Sequence, residues 1–343
     1  MRAAMAAIMC IWAGTAAAQP VLDPSLLPAT ASDRVRAVYR DNFLTNNLPR
    51  AIATDGKDAV GWAAGQKSIE EARAKALEFC ASKGSTPCQI YAENLQIVWP
   101  GKSAPPPAPG PASLGSGTGY DFIPDERYIW HGPQSARGLI VWGHGFDRAK
   151  NARGIQPPSF LRPLNNAGYD VVRFDRDENW DGNIDLVVSW LRDGLIKFRQ
   201  MGWKQIVNAG QSRGGINVLN TLKTPGLFEI GITTSAANTG TDSGWIATRG
   251  ETYLYNLIQD VPKQSTRLLY IQFQDDPFAG DEDRRADRIR NMLGPKLGQV
   301  VLIDRPDGFK GHGAGATAAF GTKFGACILH FVMDANAPTN CDR

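Results

Sequence analysis

Gln205-Ile206-Val207-Asn208-Ala209-Gly210-Gln211-Ser212-Arg213-Gly214-Gly215-Ile216-Asn217-Val218-Leu219 is the stretch from which the rest of the chain can be read. A short apolar run ends in Gly210-Gln211-Ser212-Arg213-Gly214, and apolar residues at helical spacing begin directly after it. Gly-x-Ser-x-Gly between a strand and a helix describes a tight turn with a serine at its tip. Such a serine has a strained backbone. Its neighbours two before and two after must be small, so that the helix can lie close to the adjacent strands. The turn lifts the Ser212 hydroxyl above the sheet, at the positive end of the following helix. It also aims the backbone N–H of Arg213 at the place where an oxyanion would form. Five such residues are common in ordinary turns. The strand before, the helix after and the extra Gly215 make this one more specific, and the other strand ends must supply its partners.

Strands and helices alternate from residue 119 to 343. Val/Ile/Leu-rich runs at 138–143, 169–174, 230–235, 267–273 and 299–304 read as buried strands, with helices near 158–168, at 184–201 and at 317–333. This alternation predicts an α/β fold, a mostly parallel sheet covered by helices on both faces. In such sheets the chemistry lies beyond the carboxyl ends of the strands. Gln274-Asp275-Asp276-Pro277-Phe278 follows one strand, and Gly308-Phe309-Lys310-Gly311-His312-Gly313-Ala314 follows another. Trp142-Gly143-His144-Gly145-Phe146 follows a third.

The chain order Ser212, Asp276, His312, each on a strand end, resembles the α/β-hydrolase superfamily over about 225 residues. The resemblance implies an α/β-hydrolase fold and assigns roles. Ser212 is the nucleophile, His312 the general base, and Asp276 the acid that orients the imidazole. Asp275 and Asp281 are the alternatives to Asp276. His144-Gly145-Phe146 matches the superfamily's oxyanion loop, so the N–H of Phe146, with Gly145 as the alternative, joins that of Arg213. His144, Gly145 and Gln211 would then line the substrate site, with His144 shaping the loop and not acting as base. His330 lies in the last helix and reads as packing or surface, and His131 receives no role. Asp177-Glu178-Asn179-Trp180-Asp181-Gly182 fits half of a calcium loop, but position twelve is Val188 where a bidentate acid belongs. It reads as a polar turn into a helix, with Trp180 placed to line the mouth of the site. No metal or organic cofactor is expected.

Met1-Arg2, an apolar run from Ala3 to Ala13 and then Ala16-Ala17-Ala18 have the plan of a signal peptide, residues 1–18, cleaved before Gln19. The run is too short for a stable membrane anchor. Its removal takes Cys10 away and leaves four of the five cysteines, an even number that suggests disulfides in an exported protein. Proximity in sequence favours Cys80–Cys88 and Cys327–Cys341. The formal charge is +3, and loss of Arg2 leaves near balance. With both signs interspersed, there is no electrostatic case for nucleic acid or an anionic membrane surface.

Residues 19–99 read as a small α+β domain. Ser32 to Asn46 suits a short helix. Ala59-Val60-Gly61-Trp62-Ala63 suits a strand, and Ser68-Ile69-Glu70-Glu71 is a capping box opening a helix that ends near Gly84. Strands at 88–92 and 96–99 follow. Trp62, Tyr91 and Trp99 are expected in its core. The order Gly-Trp-Ala-x-Gly, helix, cysteine, strand resembles small bacterial extracytoplasmic modules of undefined function. Residues 100–118, Pro-rich and then Gly/Ser-rich, read as a linker, extended first and flexible later.

The expectation is a periplasmic or secreted serine hydrolase acting on small or polymeric esters through an acyl-enzyme. A serine peptidase or an acyltransferase shares the same triad chemistry. A non-catalytic envelope-binding protein, with residues 51–99 as its adhesive part, is the alternative of a different class. The segment between the strands at 230 and 267 is short, which suggests an open site without a large lid. Oligomeric state is not legible.

Overall fold

A computed structural model describes residues 20–84, 87–146, 151–180, 182–238, 244–336 and 341, the side chains of 244–249 excepted. The expected signal segment lies outside the described residues. The described chain forms two sheets, one of four strands and one of eight.

The small sheet comes first. The Ser32 hydroxyl accepts the N–H of Val35 and starts α1 (Asp33–Val38), which runs on into a π-helical turn, Tyr39–Phe43. β1 (Arg50–Thr54) and β2 (Val60–Ala64) form an antiparallel hairpin. Then come α2 (Ile69–Ala81), β3 (Gln89–Glu93) and β4 (Gln96–Ile97), in the sheet order β2-β1-β3-β4. Ser68 caps α2 by accepting the N–H of Glu71 at 3.2 Å, whereas the Glu71 carboxylate takes the N–H of Lys67 instead of that of Ser68. On one face, Ala72, Ala76 and Cys80 of α2 pack on Ala51 and Ala53. These residues are small, so helix and sheet approach closely, and a Cβ on Gly61 would overlap the α2 backbone. On the other face Tyr39, Phe43, Tyr91 and Ile97 form the core; Tyr91 is buried, with Trp62 and Trp99 half-buried against it. The Cys80–Cys88 disulfide ties the end of α2 to the start of β3.

The segment expected as a linker is packed. Ala104 bridges to Ile97, and a Cβ on Gly110 would come within 2.8 Å of both Pro124 and Trp130. Its Gly/Ser-rich end, expected to be flexible, is instead β5 (Gly115–Gly117), an edge strand paired with β6 (Tyr120–Pro124). Glycine carries no side-chain pattern, so only the backbone pairing reveals this strand.

The large sheet continues with β7 (Gly138–Gly143), α3 (Arg162–Asn166), β8 (Tyr169–Arg176), α4 (Ile184–Met201), β9 (Ile206–Gln211), α5 (Arg213–Thr221) and β10 (Ile230–Thr234). It closes with α6 (Gly244–Gln259), β11 (Arg267–Gln272), α7 (Glu282–Arg288), β12 (Gln299–Asp304) and α8 (Ala318–Met333). The strand order is β5-β6-β8-β7-β9-β10-β11-β12; β5 and β6 are antiparallel and β7 to β12 parallel. Successive residues of β7 face opposite ways, as the pleat requires. Leu139 and Val141 join a core under α4, α5, α6 and α7, and Ile140 and Trp142 join one under α3 and α8. The segment between β10 and β11 is largely α6, whose Leu254, Leu257 and Ile258 lie in the first core. The Cys327–Cys341 disulfide holds residue 341 against α8.

Candidate active site

β9 runs straight into α5 through Ser212. The Ser212 backbone has φ +54° and ψ −118°, a conformation that costs a non-glycine residue about 1–3 kcal/mol. Its surroundings enforce it. The Ser212 N–H donates to Thr234 O at 2.9 Å, and its carbonyl accepts from Ile216 and Ala237 at 3.1 and 3.2 Å. Gly210 and Gly214 touch across the turn: a Cβ on Gly210 would strike the Gly214 carbonyl, and one on Gly214 the carbonyl oxygen of Gly143. The Ser212 side chain occupies the N-cap position of α5 without capping it.

His312 lies in the loop after β12. Its Nδ1 is 2.9 Å from both carboxylate oxygens of Asp276, which follows β11 and is 4% exposed. Asp276 is fixed by the N–H of Phe278 at 2.9 Å, and the Phe278 ring stands 4.4 Å from the imidazole. A carboxylate only accepts, so Nδ1 carries a proton, and in the neutral imidazole the lone pair is then on Nε2. Gln211 Nε2 donates to His312 O at 3.4 Å, which brings the histidine loop against the serine turn. The alternatives to Asp276 are engaged elsewhere. Asp275 pairs with Lys310 on the surface, and Asp281 caps α7 through the N–H of Arg284.

The loop after β7 closes the other side. A Cβ on Gly145 would lie 3.2 Å from Ser212 Cβ and 3.8 Å from its Oγ. The Arg213 guanidinium stands 5.6 Å from the Phe146 ring centre, so the two residues expected to supply oxyanion N–H groups are neighbours. His144 is buried, and both its ring nitrogens meet backbone. Nε2 accepts the N–H of Arg176 at 3.1 Å, which leaves Nδ1 as the donor to Gly145 O at 2.5 Å. Burial, then the Arg176 cation, depress its pKa to about 3. His144 is therefore a neutral strut, and the Arg176 guanidinium holds its carbonyl at 2.6 Å.

The antiparallel start, the order of the parallel strands, the strained serine and the acid and histidine on later strand ends now stand together. The fold is that of an α/β-hydrolase. No family model matches the sequence, and neither does any curated protein. Solved structures of similar shape include an acylaminoacyl peptidase from Pyrococcus horikoshii, 14% identical with a TM-score of 0.45, the match covering 72% of this chain and 45% of that one. A dienelactone hydrolase from Anabaena variabilis is 15% identical with a TM-score of 0.45, covering 66% of this chain and 97% of its own. A monoacylglycerol lipase from Paleococcus ferrophilus is 11% identical with a TM-score of 0.42, covering 59% and 96%. This chain thus spans less than half the length of the peptidase. None of these likenesses carries an activity over to it.

Several residues around the candidate site have no sequence signature. Arg176, Phe278 and Thr234 hold its parts in place, yet each reads as an ordinary strand or loop residue; position at a strand end is the one hint. Trp180 is 41% exposed and packs on Trp190 and Gly119, at the antiparallel end of the sheet. Asp177 accepts from Asn179 N–H and Nδ2, which makes a polar turn; Asp181 lies outside the described residues. His330 faces Asp334 on the surface, and the backbone N–H of His131 donates to Asp170. Among the described residues no cluster suited to a metal ion is found.

Proposed function

We propose that the protein is an exported serine hydrolase that cleaves carboxylic esters through an acyl-enzyme on Ser212. The observation that carries this reading is the His312 imidazole held by both oxygens of Asp276, in a loop that Gln211 ties to the strained strand-to-helix turn of Ser212. Ser212 Oγ attacks the carbonyl carbon while His312 Nε2 takes the hydroxyl proton. The oxyanion is received by the N–H groups of Phe146 and Arg213. Collapse expels the alcohol, which His312 protonates, and a water molecule activated by the same nitrogen releases the acid. Asp276 keeps the imidazole in the productive tautomer and stabilises the imidazolium. Export is supported by the signal-like first eighteen residues and by two disulfides in the structure.

The test is labelling of the mature protein with a fluorophosphonate probe beside Ser212→Ala, followed by hydrolysis of short- and medium-chain p-nitrophenyl esters. Labelling that disappears in the variant, with ester turnover, is the expected result. Labelling without turnover moves the reaction to amides or acyl acceptors. A folded protein that takes no label is not a serine hydrolase.

A further inference from the structure

The small sheet ends in an edge strand with a groove beside it. β2 is the terminal strand of that sheet. The hairpin shows which of its backbone groups face outward. Asp55 N–H donates to Ala59 O at 3.3 Å and closes the turn. Facing residues alternate between bonded and non-bonded pairs along an antiparallel ladder. In the observed register the bonded pairs are then Ala53–Gly61 and Ala51–Ala63, and Val60, Trp62 and Ala64 turn their N–H and C=O groups away from β1. Two side chains agree with this: Lys83 Nζ donates to Val60 O at 3.5 Å, and Gln66 Nε2 to Ala64 O at 2.7 Å. Trp62 lies between them.

A groove of about 440 Å³ runs along this edge. Trp62, Ala63 and Ala64 line it on the strand side, and Lys75, Phe79 and Lys83 on the helix side. These last three follow one another at four-residue spacing, so they share one face of α2 and its continuation. Phe79 is 47% exposed, a large ring turned to solvent. The lining holds cations and no carboxylate; Glu71 approaches Lys75 from outside it at 2.8 Å.

We propose that this groove takes an extended acidic peptide, which adds to β2 as a further strand. Its main chain pairs with the outward groups of Trp62 and Ala64, displacing Gln66 from the Ala64 carbonyl, while Val60, 2% exposed and bonded to Lys83, stays covered. Apolar side chains of the peptide cover Phe79, and its carboxylates meet Lys75 and Lys83. A second copy of this chain fits the groove poorly. Antiparallel pairing of β2 with itself about a two-fold axis at Trp62 sets Lys83 of each copy near Lys75 of the other, and like charges so placed repel. The site is separate from Ser212 and does not depend on the reading of that site.

The test is fluorescence anisotropy of the mature protein with a fluorescein-labelled peptide of alternating Glu and Val, beside one of alternating Lys and Val. Lys75→Glu combined with Lys83→Glu reverses the charge of the lining. Ala64→Pro removes an N–H that takes no part in the ladder, a change edge strands accept. The acidic peptide is expected to bind and the basic one not, with salt weakening the complex. Each variant is expected to lose about tenfold in affinity while ester turnover and melting temperature stay unchanged. Equal binding of both peptides, absence of binding, or binding that survives the charge reversal overturns the proposal. So does a dimer seen by sedimentation and abolished by Ala64→Pro, which would give the edge to a second copy.

Discussion

Three side chains near the serine turn have different duties, and single substitutions separate them. Asp276 touches His312, whereas Asp275 is tied to Lys310 on the surface. Asp276→Asn is expected to lower kcat on esters by about 10⁴-fold, since it permits the wrong tautomer, and Asp275→Asn to leave it within a few-fold. A loss of equal size in both would move the acid's role to the loop as a whole. His144 differs because it is buried neutral. Its folded pKa of about 3 lies below the ordinary value of 6.5. Between those pH values the unfolded chain takes up a proton that the folded chain refuses. Its contribution to stability is therefore full above pH 6.5 and drains away as pH falls toward 3. His144→Gln takes up no proton, so the stability gap between wild type and variant is expected to narrow by roughly 2 kcal/mol between about pH 7 and about pH 5. Urea unfolding at the two pH values measures it.

At the scale of elements, the decisive feature is how closely α5 lies against β7 and β9. Gly214 permits it, because any Cβ there meets the Gly143 carbonyl. Gly214→Ala is expected to cost about 1–3 kcal/mol and to abolish fluorophosphonate labelling, since relief of the overlap shifts the helix that carries the serine. Gly226→Ala, at a turn where a Cβ meets nothing, is the control for handling glycine; it tests backbone strain alone and should leave labelling intact. The second lever is α8, held to residue 341 by a disulfide spanning fourteen residues. Replacing Cys327 and Cys341 by serine is expected to lower stability by about 3 kcal/mol with activity retained below the melting transition. A melting temperature unchanged from wild type would show that the packing of Phe320, Phe324, Ile328 and Phe331 suffices.

The whole molecule is joined through partly buried polar contacts. Ile129 of the large unit completes the core of the small one. Arg162, 1% exposed, lies over the Tyr128 ring and donates to Asn47 Oδ1 at 3.2 Å, and Asn166 donates to Leu44 O at 2.9 Å. Asn47 Nδ2 in turn donates to Pro157 O at 3.1 Å. At this seam Arg162→Ala leaves Asn47 Oδ1 and Arg127 O without their donor and uncovers the Tyr128 ring, so it is expected to destabilise by about 1–3 kcal/mol. Because the seam couples both units, full-length protein should unfold in one calorimetric transition. Two separated transitions, with Arg162→Ala moving neither, would show that the units fold independently.

The α/β alternation, the Gly-x-Ser-x-Gly turn, the chain order of Ser212, Asp276 and His312, and both disulfide pairings are legible from residues alone. Each depends on short-range pattern: apolar periodicity, small residues around a tight turn, or cysteines near one another in the chain. Other features needed the tertiary structure. The choice among Asp275, Asp276 and Asp281 is made by which carboxylate the fold carries to His312, and adjacent residues in one loop leave that open. β1 and β5 escape notice because one is buried on both faces and the other is made of Gly and Ser, so neither alternates. The packing of residues 100–118 and the Arg162 seam are equally invisible. They arise where surfaces distant in sequence meet, and no local pattern records which partner a buried arginine will find.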